Sequence, residues 1–213
     1  MMSADRIAVR TLKAGLPGLE PMLRGNIITL RCDNAAWLFE LAAGLLVKNH
    51  EGRTLYLHWA DYHKRFWTID YDHIMKLARK EGKDLSEVYF MRAFSRDNNE
   101  VEENWRKLSA FARFDLIILD SISELYEERK EGSLPATYSI GKFAQLCIKN
   151  GCTGIILDRS RSIHPYLGHI SSVILDFAVE RDEIRLMLRK HPCMADECLS
   201  VPRNSQYKLE RWL

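Results

Sequence analysis

No apolar run in this chain is long enough to cross a bilayer. The longest, Ala35 to Val47, is broken by Glu40 and stops well short of the roughly 20 residues a spanning helix needs. A membrane partner is therefore not expected. A signal-like N-terminus is also missing, and the five cysteines are odd in number and irregularly spaced. Such a pattern fits thiols kept free in a reducing interior rather than a disulfide framework. The expected location is cytoplasmic, or nuclear if the source is eukaryotic. Charge of one sign is lacking too: a formal net charge of +2 neither demands nor excludes a nucleic-acid partner, because binding depends on where Lys and Arg sit. No internal repeat, low-complexity tract or obvious linker interrupts the 213 residues, and 46% hydrophobic with 28% charged positions supports one sizeable core. A single domain over 1–213 is expected.

The most telling absence lies between Gly25 and Asn49. GNIITLRCDNAAWLFELAAGLLVKN reads as a strand feeding directly into a long apolar helix, the geometry in which P-loop ATPases cradle ATP. The G-x-x-x-x-G-K-[ST] that should join the two is missing. In a P-loop, glycines let backbone N–H groups wrap the β-phosphate, a lysine reaches the β/γ oxygens and a hydroxyl holds magnesium. Here only Arg31, Cys32, Asp33 and Asn34 bridge strand and helix. Asp33 and Asn34 are good N-cap types, so the helix end that would attract a phosphate is expected to be capped by its own chain. The same pattern also suits a strand-helix pair of some other α/β fold that never bound nucleotide.

Along the chain, strand and helix signals alternate, the pattern of a parallel sheet flanked by helices. Strands are expected at Ile27 to Leu30, Thr54 to His58, Val88 to Met91, Leu116 to Leu119, Gly154 to Leu157, Val173 to Phe177 and Ile184 to Lys190. Helical spacing places Ile74, Leu77 and Ala78 on one side of Tyr71 to Gly82, with Gly82 a C-terminal stop. Val101, Trp105, Leu108 and Phe111 do the same in Asn98 to Phe114, and Phe143, Leu146 and Cys147 in Tyr138 to Asn150. After Val173 the alternation stops, and Pro192 and Pro202 between short apolar runs predict strands and hairpins that extend the sheet in antiparallel fashion.

FDLIILDSISELYEE, from Phe114, resembles the Walker B strand of RecA-fold recombinases of the archaeal RadA and RadB type, with Asp120 and Ser121 at its end. YFMRAFSRDNNEV from Tyr89, LMLRKHPCMADECLSV from Leu186 and TLKAGLPGLEPMLRGNIITL from Thr11 resemble other segments of that family in matching order. The likeness runs from about Thr11 to Val201, by order of elements more than by identity. It implies a RecA-like core: a mostly parallel twisted sheet flanked by helices with antiparallel C-terminal strands. Residues 1–24 would form a leading segment, 25–178 the α/β core and 179–213 the C-terminal strands and hairpins.

Departures from the family matter as much. Its catalytic glutamate falls near Ala60, with Asp61 one residue away, and its nucleotide-sensing glutamine falls near Arg159. Grip, base and sensor are lost together, which points to a pseudo-ATPase that kept the scaffold, not an enzyme and without a cofactor. Asp33, Asn34 and Asp120 would mark the degenerate nucleotide site. Asp120 retains the magnesium-positioning place, but a structural hydrogen bond is the favoured role for it.

The family's two DNA-facing loops correspond to Glu127 to Ser139, which is acidic, and Ser160 to His169. Arg159, Arg161, His164 and Tyr166 are the DNA-binding candidates: guanidinium groups neutralise phosphates and an aromatic stacks on a base. A plain solvated loop is the competing reading. Lys64, Arg65, Phe66 and Trp67 interleave cations with aromatics and are the candidates for a partner interface, although Trp59 and Trp67 read equally well as core. The resemblance implies an accessory factor in homologous recombination that binds a RadA-type recombinase or another paralogue, single-stranded DNA, or both, as a homodimer or hetero-complex. Two other readings stay open: a KaiC-like regulatory ATPase with unconventional nucleotide binding, and a purely structural partner subunit. Two ligand-rich stretches, His58 to His73 and His191-x-Cys193-x4-Cys198, lack a specific metal spacing.

Overall fold

The computed structural model describes residues 10–14, 19–58, 71–92, 98–110, 113–122, 136–160, 163–180, 183–195 and 198–202. A short ribbon, β1 (Arg10–Thr11) against β2 (Arg24–Gly25), encloses the one-turn helix α1 (Leu19–Met22). The chain then runs β3 (Ile27–Arg31), α2 (Ala35–Asn49), β4 (Thr54–His58), α3 (Tyr71–Lys80), β5 (Val88–Arg92), α4 (Asn98–Ala110) and β6 (Leu116–Asp120). It continues through α5 (Ala136–Asn150), β7 (Thr153–Asp158), α6 (Pro165–Ile170), β8 (Val173–Val179), β9 (Glu183–Lys190) and β10 (Cys198–Pro202).

Eight strands form one sheet in the order β10-β9-β8-β3-β7-β6-β4-β5. The strands from β8 to β5 are parallel, whereas β9 and β10 are added antiparallel at one end. The pattern of side chains explains the difference. Every residue of β3 and β7 is buried, as expected of strands covered on both faces, while β9 alternates between core and solvent. One face carries the leading segment, α2 and α3, packed on Ile28, Leu30, Tyr56, Ile118 and Leu157. The other carries α4, α5 and α6, packed on Ile27, Leu57, Leu119 and Ile156.

Helix α2 is apolar almost all round because it is covered twice, by the sheet beneath and by Leu12, Leu19 and Leu23 of the leading segment. Asn49 ties that segment down. Its amide donates to the Lys13 carbonyl at 2.8 Å and its Oδ1 accepts from the Lys13 N–H at 2.7 Å. The ribbon and α1 have no counterpart in the sequence expectations, being too short to carry a periodic signal. Helix α3 ends as expected at Gly82, whose φ of +63° allows a Schellman closure, Lys83 N–H to Ala78 O at 2.8 Å.

Two expected boundaries are corrected. The loop expected over Ser160 to His169 contains α6, a six-residue helix that starts where His164 caps it and Pro165 occupies its first turn. The end of the loop expected over Glu127 to Ser139 is already helical, since α5 begins at Ala136. Among the described residues no helix is long and apolar enough to cross a membrane.

Gly154 in β7 tests the packing between sheet and α5. A Cβ there would lie 2.6 Å from Cys147 Sγ and 2.7 Å from Phe143 Cζ, and Phe143 is fully buried and has no room to give. Overpacking of this kind costs ~1–3 kcal/mol, more than the ~0.4–1 kcal/mol that Gly→Ala recovers from the unfolded chain. Gly154→Ala is expected to lower the urea midpoint with an unchanged slope; an unchanged or raised midpoint would contradict this packing.

Candidate functional site

Strands β3 and β7 are neighbours, yet the chain leaves β3 toward α2 on one face and leaves β7 toward α6 on the other. In open α/β sheets such a switch point opens a crevice at the carboxyl ends of the strands, where ligands bind. Here the strand ends are charged. Arg31 closes β3, Asp158 closes β7, and Asp176 lies in β8; the register sets Arg31 opposite both carboxylates.

The three side chains meet. Arg31 Nε donates to Asp158 Oδ2 at 3.2 Å, Nη1 to Asp176 Oδ1 at 2.6 Å, and Nη2 to the Ser160 carbonyl at 3.0 Å. Arg189 on β9 donates to the second oxygen of Asp176 at 2.9 Å. Asp158, 0% exposed, also accepts from the Ser160 N–H at 2.9 Å and from its hydroxyl at 2.7 Å. Two guanidinium groups and two carboxylates thus alternate across β9, β8, β3 and β7. A buried ion pair repays its desolvation only when the remaining hydrogen-bonding capacity is filled, and here Ser160 fills it.

Between Arg31 and the first residue of α2 lie Cys32, Asp33 and Asn34. Cys32 N–H donates to the Asp158 carbonyl at 3.0 Å, prolonging the strand pairing, and its thiol is buried and pushed up to about 11, chiefly by burial. Asp33 is exposed. Asn34 is the N-cap: its Oδ1 accepts from Trp37 N–H at 3.0 Å. A link this short has no room for a backbone wrap around a phosphate, and the cap already uses one of the helix N–H groups that would have faced the anion.

Asp120 stands at the end of β6 on the α2 face. The buried Tyr56 phenol donates to its Oδ2 at 2.6 Å. Burial raises the Asp120 carboxyl above its ordinary range, while the Tyr56 hydrogen bond and the Arg159 charge pull it down. The Tyr56 phenol is itself pushed well up, first by burial and then by the Asp120 charge. Asp120 thus accepts a hydrogen bond from the neighbouring strand β4. The Asp120–Ser121 peptide is cis.

Of the DNA-binding candidates, Arg159 is partly buried, with Nε 3.3 Å from Ser121 Oγ. His164 caps α6, its Nδ1 accepting from Tyr166 N–H at 3.2 Å, and Tyr166 packs into the second core cluster. Three of the four are thus engaged in holding the edge together. Arg161, and the interface candidates Lys64, Arg65, Phe66 and Trp67, lie outside the described residues, as do Ala60 and Asp61. Of the ligand-rich stretches, His73 Nε2 lies 2.7 Å from Glu40 Oε2 and His191 Nδ1 accepts from Cys193 N–H at 3.0 Å. Among the described residues no three His, Cys, Asp or Glu side chains come together as a metal site.

Sequence reasoning missed Asp158, Asp176, Arg189 and Tyr56. A signal was present in three apolar runs, IITLR, GIILD and VILD, each ending in a charge of a sign that its neighbour complements. The fold and site define a mixed α/β sheet protein whose carboxyl edge is cross-linked by its own charges. No protein-family model matches the chain, and no curated protein matches it.

Removing one partner of such a pair strands the other. Arg31→Met is expected to cost ~3–5 kcal/mol in chemical denaturation, whereas a surface pair such as Lys13 with Glu51, at 3.5 Å and largely exposed, is expected to give ~0–1 kcal/mol in the same measurement. Equal small losses would contradict the burial of the cluster. Asp120 gives a pH test. Because its folded carboxyl is raised, it favours folding below the ordinary carboxylate range, and that advantage is lost as pH rises through its folded value. Asp120→Asn keeps an acceptor for Tyr56 without the charge. Its thermal midpoint should gain on the parent as pH rises from about 3 to about 7; a difference independent of pH would refute the assignment.

Proposed function

We propose that this chain is a nucleotide-independent RecA-type paralogue that serves homologous recombination as an accessory factor, acting through a RadA-type recombinase partner and, secondarily, single-stranded DNA. The single observation that carries the nucleotide-independent part is the self-satisfied carboxyl edge. Arg31 is clamped by Asp158 and Asp176, Asn34 caps α2, and Tyr56 occupies Asp120, so the positions that would meet phosphate and magnesium are bonded to the chain itself. The recombination part rests on the resemblance of the strand-end motifs and their order, which the α/β layering and antiparallel C-terminal strands accommodate. A scaffold can outlive its chemistry, and what remains for it to do is binding.

The balance between partners follows from the loop after β7. Arg159, His164 and Tyr166 are engaged by Ser121, the α6 backbone and the core, which leaves less of that loop to grip a phosphate chain. A protein partner is therefore the primary one. The segment between β4 and α3, with Lys64, Arg65, Phe66 and Trp67, has the composition of an interface anchor.

The test is a pair of titrations, one with labelled single-stranded DNA at two salt concentrations and one with a purified RadA-type recombinase, each with and without ATP and magnesium. Recombinase binding that is indifferent to ATP is expected, with any DNA binding weakened by salt. Binding that requires ATP would overturn the reading in favour of an unconventional ATPase, and no binding to either would leave a purely structural subunit. A single substitution tests the loop: Asn34→Lys restores the lysine without the glycine wrap and is expected to release no phosphate from ATP. Measurable turnover would contradict it.

A further inference from the structure

At the opposite end of the sheet from the charged edge lies a cavity of about 320 Å³. Its lining includes Asn26, Cys147, Cys152, His169, Ser172 and Lys190. The two cysteines are brought together by the way α5 ends. Gly151, at φ +62°, reverses the chain; Gly151 N–H bonds to the Ile148 carbonyl and Cys152 N–H to the Cys147 carbonyl, both at 3.1 Å. This is a Schellman closure, in which the residues bonded across six positions also bring their side chains into contact. Here those side chains are the thiols of Cys147 and Cys152, which line the same cavity. Neither is tied up in a disulfide. Lys190, exposed with its Nζ 2.8 Å from the Gly168 carbonyl, lines the same cavity and carries a positive charge.

We propose that Cys147 and Cys152 form a reversible dithiol–disulfide site that exchanges with small anionic disulfides of the glutathione type through this cavity. Cys152, buried but less deeply than Cys147, loses its proton and attacks one sulfur of the incoming disulfide. One small thiolate leaves and takes up a proton, and a mixed disulfide remains on Cys152. Cys147 then loses its proton and attacks Cys152 Sγ, forming the internal bond and expelling the second small thiol. Two protein thiols are oxidised, one small disulfide is reduced to two thiols, and no other oxidant is needed.

The geometry favours reversibility over structural reinforcement. The loop closed is only a few residues long, so cross-linking it removes little entropy from the unfolded chain. Cys147 Sγ also packs over Gly154 of β7, so closing the bond shifts an atom that touches the sheet. Burial raises the Cys147 thiol well above its ordinary range, which disfavours it as the first attacker. Cys32, buried and paired with no thiol, and the exposed Cys193 and Cys198 serve as internal controls.

The experiment uses the full chain equilibrated with mixtures of oxidised and reduced glutathione, acid-quenched, alkylated and digested with trypsin. Lys149 lies between the two cysteines, so the internal bond joins peptide 143–149 to peptide 150–159 and is released by reductant. The expected result is that this linked pair forms, with Cys32 still free and circular dichroism unchanged, and that Cys147→Ser traps glutathione on Cys152. Recovery of Cys147 and Cys152 as free thiols under mixtures that modify Cys193 would overturn the proposal. So would linkage of Cys152 to any cysteine other than Cys147.

Discussion

The carboxyl edge of the central strands is organised around one guanidinium. Arg31 ends β3, and the register of the parallel sheet leaves it no choice of neighbours: Asp158 on one side, Asp176 on the other. Once its burial is imposed, both carboxylates must be present and oriented, and Ser160 and Arg189 must finish their hydrogen bonding. A one-residue slip of β3 would send Arg31 to the α2 face, against Leu38 and Leu41, where an unpaired charge is expensive. The cluster thus specifies register as well as closing the edge. What it does not do is add much net stability over an apolar replacement, because desolvation offsets most of the Coulombic gain.

The same logic separates the two ends of the sheet. Among the described residues at the carboxyl end, Asn34 is bonded to the Trp37 N–H, Asp120 to the Tyr56 phenol and Arg159 to the Ser121 hydroxyl. At the amino end a cavity remains beside two adjacent thiols.

The sheet was largely legible in the sequence because strands covered on both faces must be continuous apolar runs, and such runs need no long-range information. β4 is placed residue for residue, and β3 and β7 differ only at their ends, where Arg31 and Asp158 are charged and yet belong to the strands. Their charge made them look like loop. Helix α6 escaped because six residues hold fewer than two turns, too few for a period, and its one local sign was Pro165 after a capping His164. The site was legible only in what it lacks. The missing phosphate loop and the Asn34 cap are local features, whereas Tyr56 and Asp120 are 64 residues apart and Arg31 and Asp176 are 145 apart. Pairings of that kind come from strand order, which the alternation of elements does not determine.

The most direct test of the sealed edge is thermal unfolding of the intact protein across a series of magnesium-ATP concentrations. A ligand held at a hundred times its Kd adds ~2.7 kcal/mol to the native state and must raise the midpoint. The account predicts a midpoint that does not move. A midpoint that climbs with the logarithm of ATP concentration, and stops climbing in Asp120→Ala, would show that the edge still binds nucleotide and would contradict it.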